Sequence, residues 1–328
     1  MLTDSTLFGG LRPFTRLRRG GLGTVLAVLA AAVVLSVLPR FTSDYTVLVF
    51  FKVFEYAALA QAWNLLAGYG GLVSLGTGAF VGLGAYTTGK LTISTGMPLI
   101  PAMLLGGVVA AVFAAVVSPA LFRLRGLYFV IGTLALAQAL QLWMVNWNGL
   151  GGATGMFLTV AAPTNHQVYY MSLAVMAAAT ALLWVVLRTR LGIGLRAVRD
   201  NEDAARELGL WTFRTKLWAF VLSSGLMGVV GGLQAARVSA IEPYGSFSLQ
   251  WTIDTVNVAI IGGMGTIVGP LLGSGFIVWL GERLANHPET HLALTGGLMI
   301  VVIRFAPHGI WGGLLRLRDA LRARVRST

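Results

Sequence analysis

Residues Gly84-Ala-Tyr-Thr-Thr-Gly89-Lys90-Leu91 come within one residue of a phosphate-binding loop. Such a loop cradles phosphates on backbone N–H groups and places a final Ser/Thr hydroxyl on magnesium. Leu91 has no hydroxyl, and the string closes an apolar run instead of following a buried strand, so nucleotide chemistry is rejected here. His287-Pro288-Glu289-Thr290-His291 sets two histidines four apart, as a metal site would. Pro288 and the short polar setting favour an ordinary loop. The chain has no cysteine, which removes disulfides and thiolate-based metal or redox sites. No Ser/His/Asp set or carboxylate pair converges. The sequence therefore points to no catalytic residue, no metal and no cofactor.

The remaining chemistry lies in polar side chains inside apolar runs: Asn64, Ser74, Thr77, Thr133, Gln138, Gln141, Asp254 and Asn257. In hydrocarbon such residues are costly and face a cavity or another helix, which makes them candidates for a solute pathway. Ser74 and Thr77 follow Gly70-Gly71 and share a helix face. A helix broken there offers free N–H groups and a positive dipole end, suited to a carboxylate. Asp254 has three possible roles, in a gate, in an interface with a partner or in helix pairing, and pairing is the favoured expectation. Lys52 and Glu55, three apart on one helix, are expected to pair with each other.

These residues are positioned by membrane elements. Apolar residues make up 56% of the 328 and charged residues only 11%, where a soluble chain carries roughly a quarter charged. Mean hydropathy is +0.77. The fold class predicted is all-α, a polytopic helical membrane protein. Runs long enough to cross a bilayer are Leu22–Leu38, Thr46–Leu66, Leu72–Gly89, Pro98–Phe122, Leu127–Trp147, Val168–Leu187 and Leu217–Ala236. Ile253–Leu280 splits near Gly265 into two short spans, and Leu292–Phe305 supplies the last, about ten in all. Leu22–Leu38 is read as a retained helix, since no clean small-x-small cleavage site follows it.

Charge orients this bundle. Of 24 Lys/Arg, 18 fall in the first twenty residues, the Arg123/Arg125 turn, the Arg188–Lys216 loop and the tail after Trp311. Basic loops mark the cytoplasmic face. The expected layout is a basic cytoplasmic N-terminus over 1–21, a transmembrane domain over 22–305 and a basic cytoplasmic tail over 306–328, in an inner (plasma) membrane. An even number of crossings agrees with basic charge at both ends. The net charge of +12 is thus assigned to membrane topology and not to nucleic acid.

The loop Arg188–Lys216 carries seven Lys/Arg and four Asp/Glu between two apolar runs. Asp203 is the expected N-cap of a short helix through Ala204, Ala205, Arg206, Glu207 and Leu208, with Gly209 as its left-handed terminator. A capped helix held between membrane helices is suited to a groove on a soluble partner, with Glu202, Asp203, Ala204, Ala205, Glu207 and Gly209 as its contact set. Glycine is abundant, with 42 residues. Gly78, Gly82 and Gly84 share the spacing G-x3-G-x-G with Gly269, Gly273 and Gly275. Small residues at that spacing let helices approach closely in lipid, so Gly78, Gly82, Gly269 and Gly273 are expected to serve helix packing.

Four strings carry a family resemblance. WNLLAGYGGLVSLGTGAFVGLGAY (Trp63–Tyr86) resembles the permeases of branched-chain amino-acid ABC importers. The likeness continues at Arg125-Gly126-Leu127-Tyr128-Phe129 with Thr133-Leu134-Ala135, at GLRAVRDNEDAARELGLWTFRTKLWAF (Gly194–Phe220), and at IGGMGTIVGPLLG (Ile261–Gly273). It covers about residues 55 to 280, in the expected order, and looks most like the longer of two permease subunits. The resemblance implies a second permease subunit, two ATP-binding subunits docked on the Arg188–Lys216 loop, and a periplasmic or lipid-anchored binding protein. It also implies alternating access for branched-chain or other hydrophobic amino acids. NGLGGATGM (Asn148–Met156) departs from the family's external element at Leu150 and Met156, and related permeases carry urea, short amides or sugars. A secondary transporter or channel working alone is the rival from another class; it would need an intramembrane ion site, for which only Asp254 and the Lys52/Glu55 pair are available.

Overall fold

The computed structural model describes residues 34–157, 163–238, 240–284, 288–305 and 309–315. The chain divides into two units, Met1–Thr46 and Val47–Thr328. The described part of the first is a helical end over 34–37 and a single 3-10 turn, Leu38–Arg40, with Pro39 in its first positions. The Thr42 hydroxyl donates back to the Leu38 carbonyl at 3.0 Å.

In chain order the helices are α1 (Asp44–Asn64), α2 (Thr77–Thr95), α3 (Leu99–Leu121), α4 (Leu127–Asn146), α5 (Asn165–Arg188), α6 (Arg190–Asp200), α7 (Glu202–Glu207), α8 (Thr212–Arg237), α9 (Pro243–Ser246), α10 (Leu249–Gly262), α11 (Val268–Arg283) and α12 (Pro288–Phe305). A two-residue ribbon pairs β1 (Met156–Phe157) antiparallel with β2 (Ala240–Ile241). The protein is an all-α polytopic membrane protein. Among the described residues, five helices are long and apolar enough to cross a bilayer: α1 with its extension to Tyr69, α3, α4, α5 and α8. Helices α2, α10, α11 and α12 are shorter or more polar. Most of the predicted first span, residues 22–33, lies outside the described residues.

Burial sorts the crossing helices into layers. α1 and α8 are mostly buried, whereas α5 is mostly exposed. α1 and α8 are therefore the centre and α5 lies at the rim, where its apolar side chains are exposed, as in a chain whose solvent is lipid. The centre is tightly stacked because α2, α3 and α8 meet through glycine. A Cβ on Gly84 would collide with the Gly228 carbonyl, and one on Gly106 would lie 2.8 Å from the Gly84 carbonyl. Gly78 and Gly82 lie against Ser248 and Phe247, and Gly269 and Gly273 against the backbone of Gly262, Gly263 and Val258.

Three expectations are corrected. The run Leu72–Gly89 is not one helix: residues 71–76 are irregular and α2 starts only at Thr77, running on to Thr95. Lys52 does not pair with Glu55; its ammonium donates to Glu282 Oε1 at 2.7 Å on α11, a partner 230 residues away that helical spacing cannot reveal. Residues 288–291 form the start of α12 and not a loop, since proline suits a first helical position; His287 lies outside the described residues.

Candidate functional site

Two breaks in the helices define the centre. The first follows α1. Asn64 leads into a π-helical turn, Leu65–Tyr69, and the chain then runs outside any helix to Gly76. π-turns free backbone groups and recur at functional sites. The second break lies between α10 and α11, over Gly263–Ile267, with Gly263 and Gly265 at positive φ. α10 has 14 residues, about 21 Å of helix, short of a hydrocarbon core of about 30 Å. Irregular backbone at membrane depth persists only where protein or a lined cavity satisfies it.

Side chains from α1 provide that satisfaction. Asn64, fully buried, accepts from the Gly265 N–H at 2.7 Å and donates to the Thr266 carbonyl at 2.8 Å. Gln61 donates to the Ile267 carbonyl at 2.7 Å. One face of α1 thus holds the second break by three hydrogen bonds. The irregular segment of the first break is held likewise. Thr133 accepts from the Leu75 N–H at 3.0 Å, Thr252 donates to the Leu75 carbonyl at 3.2 Å, and the Trp63 indole donates to the Ser74 carbonyl at 2.9 Å.

The sequence-derived pathway residues divide accordingly. Asn64 and Thr133 act on backbone. The Ser74 hydroxyl accepts from the Gly76 N–H at 3.2 Å. Thr77, the first residue of α2, is buried and its hydroxyl has no partner. Asp254 accepts from the Tyr56 hydroxyl at 2.9 Å and from Gln250 at 2.8 Å. Asn257 is buried on α10, Gln138 half-buried on α4, and the Gln141 amide reaches the Tyr244 carbonyl at 3.5 Å.

The charged loop folds into α6 and α7. Asp203 is not the N-cap. Asn201, extended at φ −161°, holds that position, and its side chain accepts from the Ala204 N–H at 3.0 Å. Asp203 sits instead in the first turn, where a carboxylate still suits the dipole. Asn and Asp cap about equally well, so sequence could not choose between positions two apart. The other end matches its expectation: Gly209 has φ +82°, its N–H bonds the Arg206 carbonyl at 3.0 Å, and the Leu210 N–H bonds the Ala205 carbonyl at 3.0 Å. These are the two bonds of a Schellman motif. Ala205 is buried, whereas Ala204 and Glu207 are exposed. Glu202 anchors the helix by accepting from the nearly buried Lys216 at 2.6 Å. Beyond the cap, Leu208 is 85% and Trp211 67% exposed.

Sequence reasoning missed Gln61 and Arg199. Arg199, on α6, donates to the Gly68 carbonyl at 2.9 Å, and it lay within the quoted GLRAVRD string without a role assigned to it. Arg196, from the same string, donates to the Leu187 and Gly192 carbonyls at 3.2 and 3.1 Å, tying α6 to the end of α5.

A bundle of apolar helices whose broken central helix clamps a second helix break is an integral membrane protein. The family described as "Branched-chain amino acid transport system / permease component" matches residues 45–303, and the chain belongs to this family of ABC-importer permeases. Among individual relatives, it is 27% identical to the high-affinity branched-chain amino acid transport system permease protein LivM of Escherichia coli (strain K12), over 78% of this chain and 67% of that one. The LivM protein of Salmonella typhimurium matches to the same extent. The autoinducer 2 import system permease protein LsrC of Salmonella paratyphi B is 26% identical over 69% of this chain and 68% of its own. No solved structure matches the chain.

Proposed function

We propose that the chain is one of two permease subunits of an inner-membrane ABC importer that moves branched-chain or other hydrophobic amino acids inward by alternating access. A periplasmic or lipid-anchored binding protein delivers substrate on one side. Two ATP-binding subunits act on the other, which also carries both termini. The observation that carries this reading is the bonding of the charged loop to the first break, and of the helix that leads into that break to the second. α7 is fixed to α8 by Glu202 and Lys216, α6 is fixed to the first break by Arg199 and Gly68, and α1 holds the second break through Asn64.

The loop is suited to receive force. α7 is closed at both ends by side-chain and backbone bonds, so it moves as a unit. Glu202, Asp203, Ala204, Ala205, Glu207 and Gly209 shape it, and Leu208 and Trp211 offer apolar anchors of the kind that fill pockets on a partner. Displacement of α7 pulls α6 and, through Arg199, the π-turn. The solute pathway runs past the breaks, by Ser74, Thr77, Gln138 and Asn257, with Asn64, Thr133 and Asp254 holding the surrounding backbone and helices.

The test is reconstitution in liposomes with the second permease, both ATP-binding subunits and the binding protein. ATP-dependent accumulation of leucine, isoleucine or valine is the expected result. Accumulation by this chain alone, driven by an ion gradient, would establish a secondary transporter instead. A second reading, import of a sugar-like solute, draws support from the autoinducer 2 permease relatives; the same liposomes would then import such a solute and ignore leucine.

A further inference from the structure

A cavity of about 290 Å³ lies between α1, the C-terminal end of α8 and the junction of α9 with α10. Glu55 lines it, is 2% exposed, and its Oε1 has no hydrogen-bond partner. Gln234 lines it too, with its amide oxygen equally unpartnered. Arg237 reaches it from the last turn of α8, with its guanidinium carbon 5.5 Å from the centroid of the Phe51 ring. Arg237 forms no ion pair among the described residues.

The neighbouring charges are already committed elsewhere. Lys52, three residues before Glu55, is bonded to Glu282 at 2.7 Å, and the Tyr56 hydroxyl to Asp254 at 2.9 Å. The cavity therefore presents a buried acid and an exposed cation that form no ion pair with each other. An unpaired carboxylate away from water is strongly disfavoured, and ionisable groups within membrane helices mark binding and translocation sites. Tyr56 and Trp251, with ring centroids 6.0 Å apart, form an aromatic corner beside them.

We propose that this cavity binds a zwitterionic α-amino acid with an apolar side chain. The ammonium donates to Glu55 and the Gln234 amide oxygen, the carboxylate accepts from Arg237, and the side chain lies against Tyr56 and Trp251. An ammonium has three donors and no acceptor, and a guanidinium five donors, so each end of the ligand supplies what the facing group lacks. The volume, at the bottom of the range of about 300–1,000 Å³ for small-molecule pockets, admits one small molecule and no peptide. A second cavity of about 230 Å³ shares Gln234, Gly245 and Trp251 with the first and reaches Val81 and Ala85 on α2.

This inference rests on the amino-acid reading above, and three ligands separate the two. Equilibrium binding of leucine, leucinamide and N-acetylleucine is measured on the complete importer in nanodiscs without its binding protein. Leucinamide keeps the ammonium and lacks the carboxylate; N-acetylleucine is the reverse. Glu55→Gln is expected to weaken leucine and leucinamide by about tenfold or more, the loss of a charge-assisted bond, and to leave N-acetylleucine unchanged. Arg237→Gln is expected to weaken leucine and N-acetylleucine and to spare leucinamide. Glu55→Asp should recover part of the leucine affinity. The analogue that each variant still binds shows that the variant is folded. Equal loss of all ligands, no loss in either variant, or no direct leucine binding by the unsubstituted importer would overturn the site. Leucine uptake in liposomes reads the importer separately: uptake without this binding pattern overturns only the site, and no uptake of any hydrophobic amino acid overturns both.

Discussion

Arg199 donates from Nη1 to the backbone carbonyl of Gly68 at 2.9 Å, across 131 residues of sequence. The last turn of α6, in the charged loop, is thereby bonded to the π-turn that breaks the first central helix. The Arg199 methylenes also cover Gly71, where a Cβ would lie 2.9 Å from Arg199 Cγ. A hydrogen bond to a charged donor contributes about 1.5–3 kcal/mol. Arg199→Ala is expected to lower substrate-stimulated ATPase and uptake by about tenfold or more while the protein still inserts. Stimulated ATPase equal to that of the unsubstituted assembly would remove Arg199 from the coupling path.

Asn64 joins two parts of the chain by one amide, accepting from Gly265 and donating to Thr266. Asn64→Asp keeps the acceptor and loses the donor; Asn64→Leu loses both and orphans a buried backbone N–H. The expected costs are about 1–3 kcal/mol for the first and more for the second. Thermal unfolding in detergent should rank the unsubstituted protein above Asn64→Asp and Asn64→Leu lowest. A leucine variant as stable as asparagine would mean that the second break is held elsewhere.

The helices were legible because their signal is repeated over many residues: apolar runs place α3 and α4 nearly to the residue, whereas α5 begins at Asn165, ahead of Val168, and α8 at Thr212, ahead of Leu217, because their first turns are polar. The ends of α7 were half legible. Gly209 is distinctive because few residues tolerate its backbone, while Asn201 and Asp203 compete for one cap on equal terms. Pairings were not legible at all. Lys52 with Glu282, and Gln61 with Ile267, depend on which helix faces which, and spacing along one helix carries no information about that. The start of α2 was missed for a related reason: the irregular stretch 71–76 is largely apolar, and the backbone of Leu75 within it is satisfied by Thr133 and Thr252 from distant helices.

Gly209 separates conformational strain from crowding. At φ +82° nothing lies within 4 Å of an added Cβ, so any defect must arise from the left-handed backbone, which costs a residue with Cβ about 1–2 kcal/mol. Gly209→Val is expected to fray α7 and lower substrate-stimulated ATPase in liposomes, whereas Gly209→Asn should retain most of it. Equal activity in both variants would show that the cap does not matter to docking.

Topology is open to chemical labelling because the chain has no cysteine of its own. Ala153 and Glu207 are both exposed and on opposite sides in the proposed orientation. In spheroplasts an impermeant maleimide should label Ala153→Cys, and should label Glu207→Cys only after lysis. The reverse pattern would invert the orientation and put the charged loop out of reach of ATP.

Thr77 gives the sharpest test of the pathway. It opens α2, where the first N–H groups have no helical partner, and its own buried hydroxyl is unpartnered, whereas the Ser74 hydroxyl is already bonded to its local backbone. A hydroxyl kept unpaired in the interior costs about 1–3 kcal/mol. Thr77→Val preserves shape and removes that cost, so the unfolding midpoint is expected to rise. If a passing carboxylate uses the hydroxyl and the adjacent N–H groups, transport must fall at the same time, and Thr77→Ser must restore it. Stability that rises with no change in uptake would make Thr77 a purely structural residue and shift the pathway toward Gln138 and Asn257.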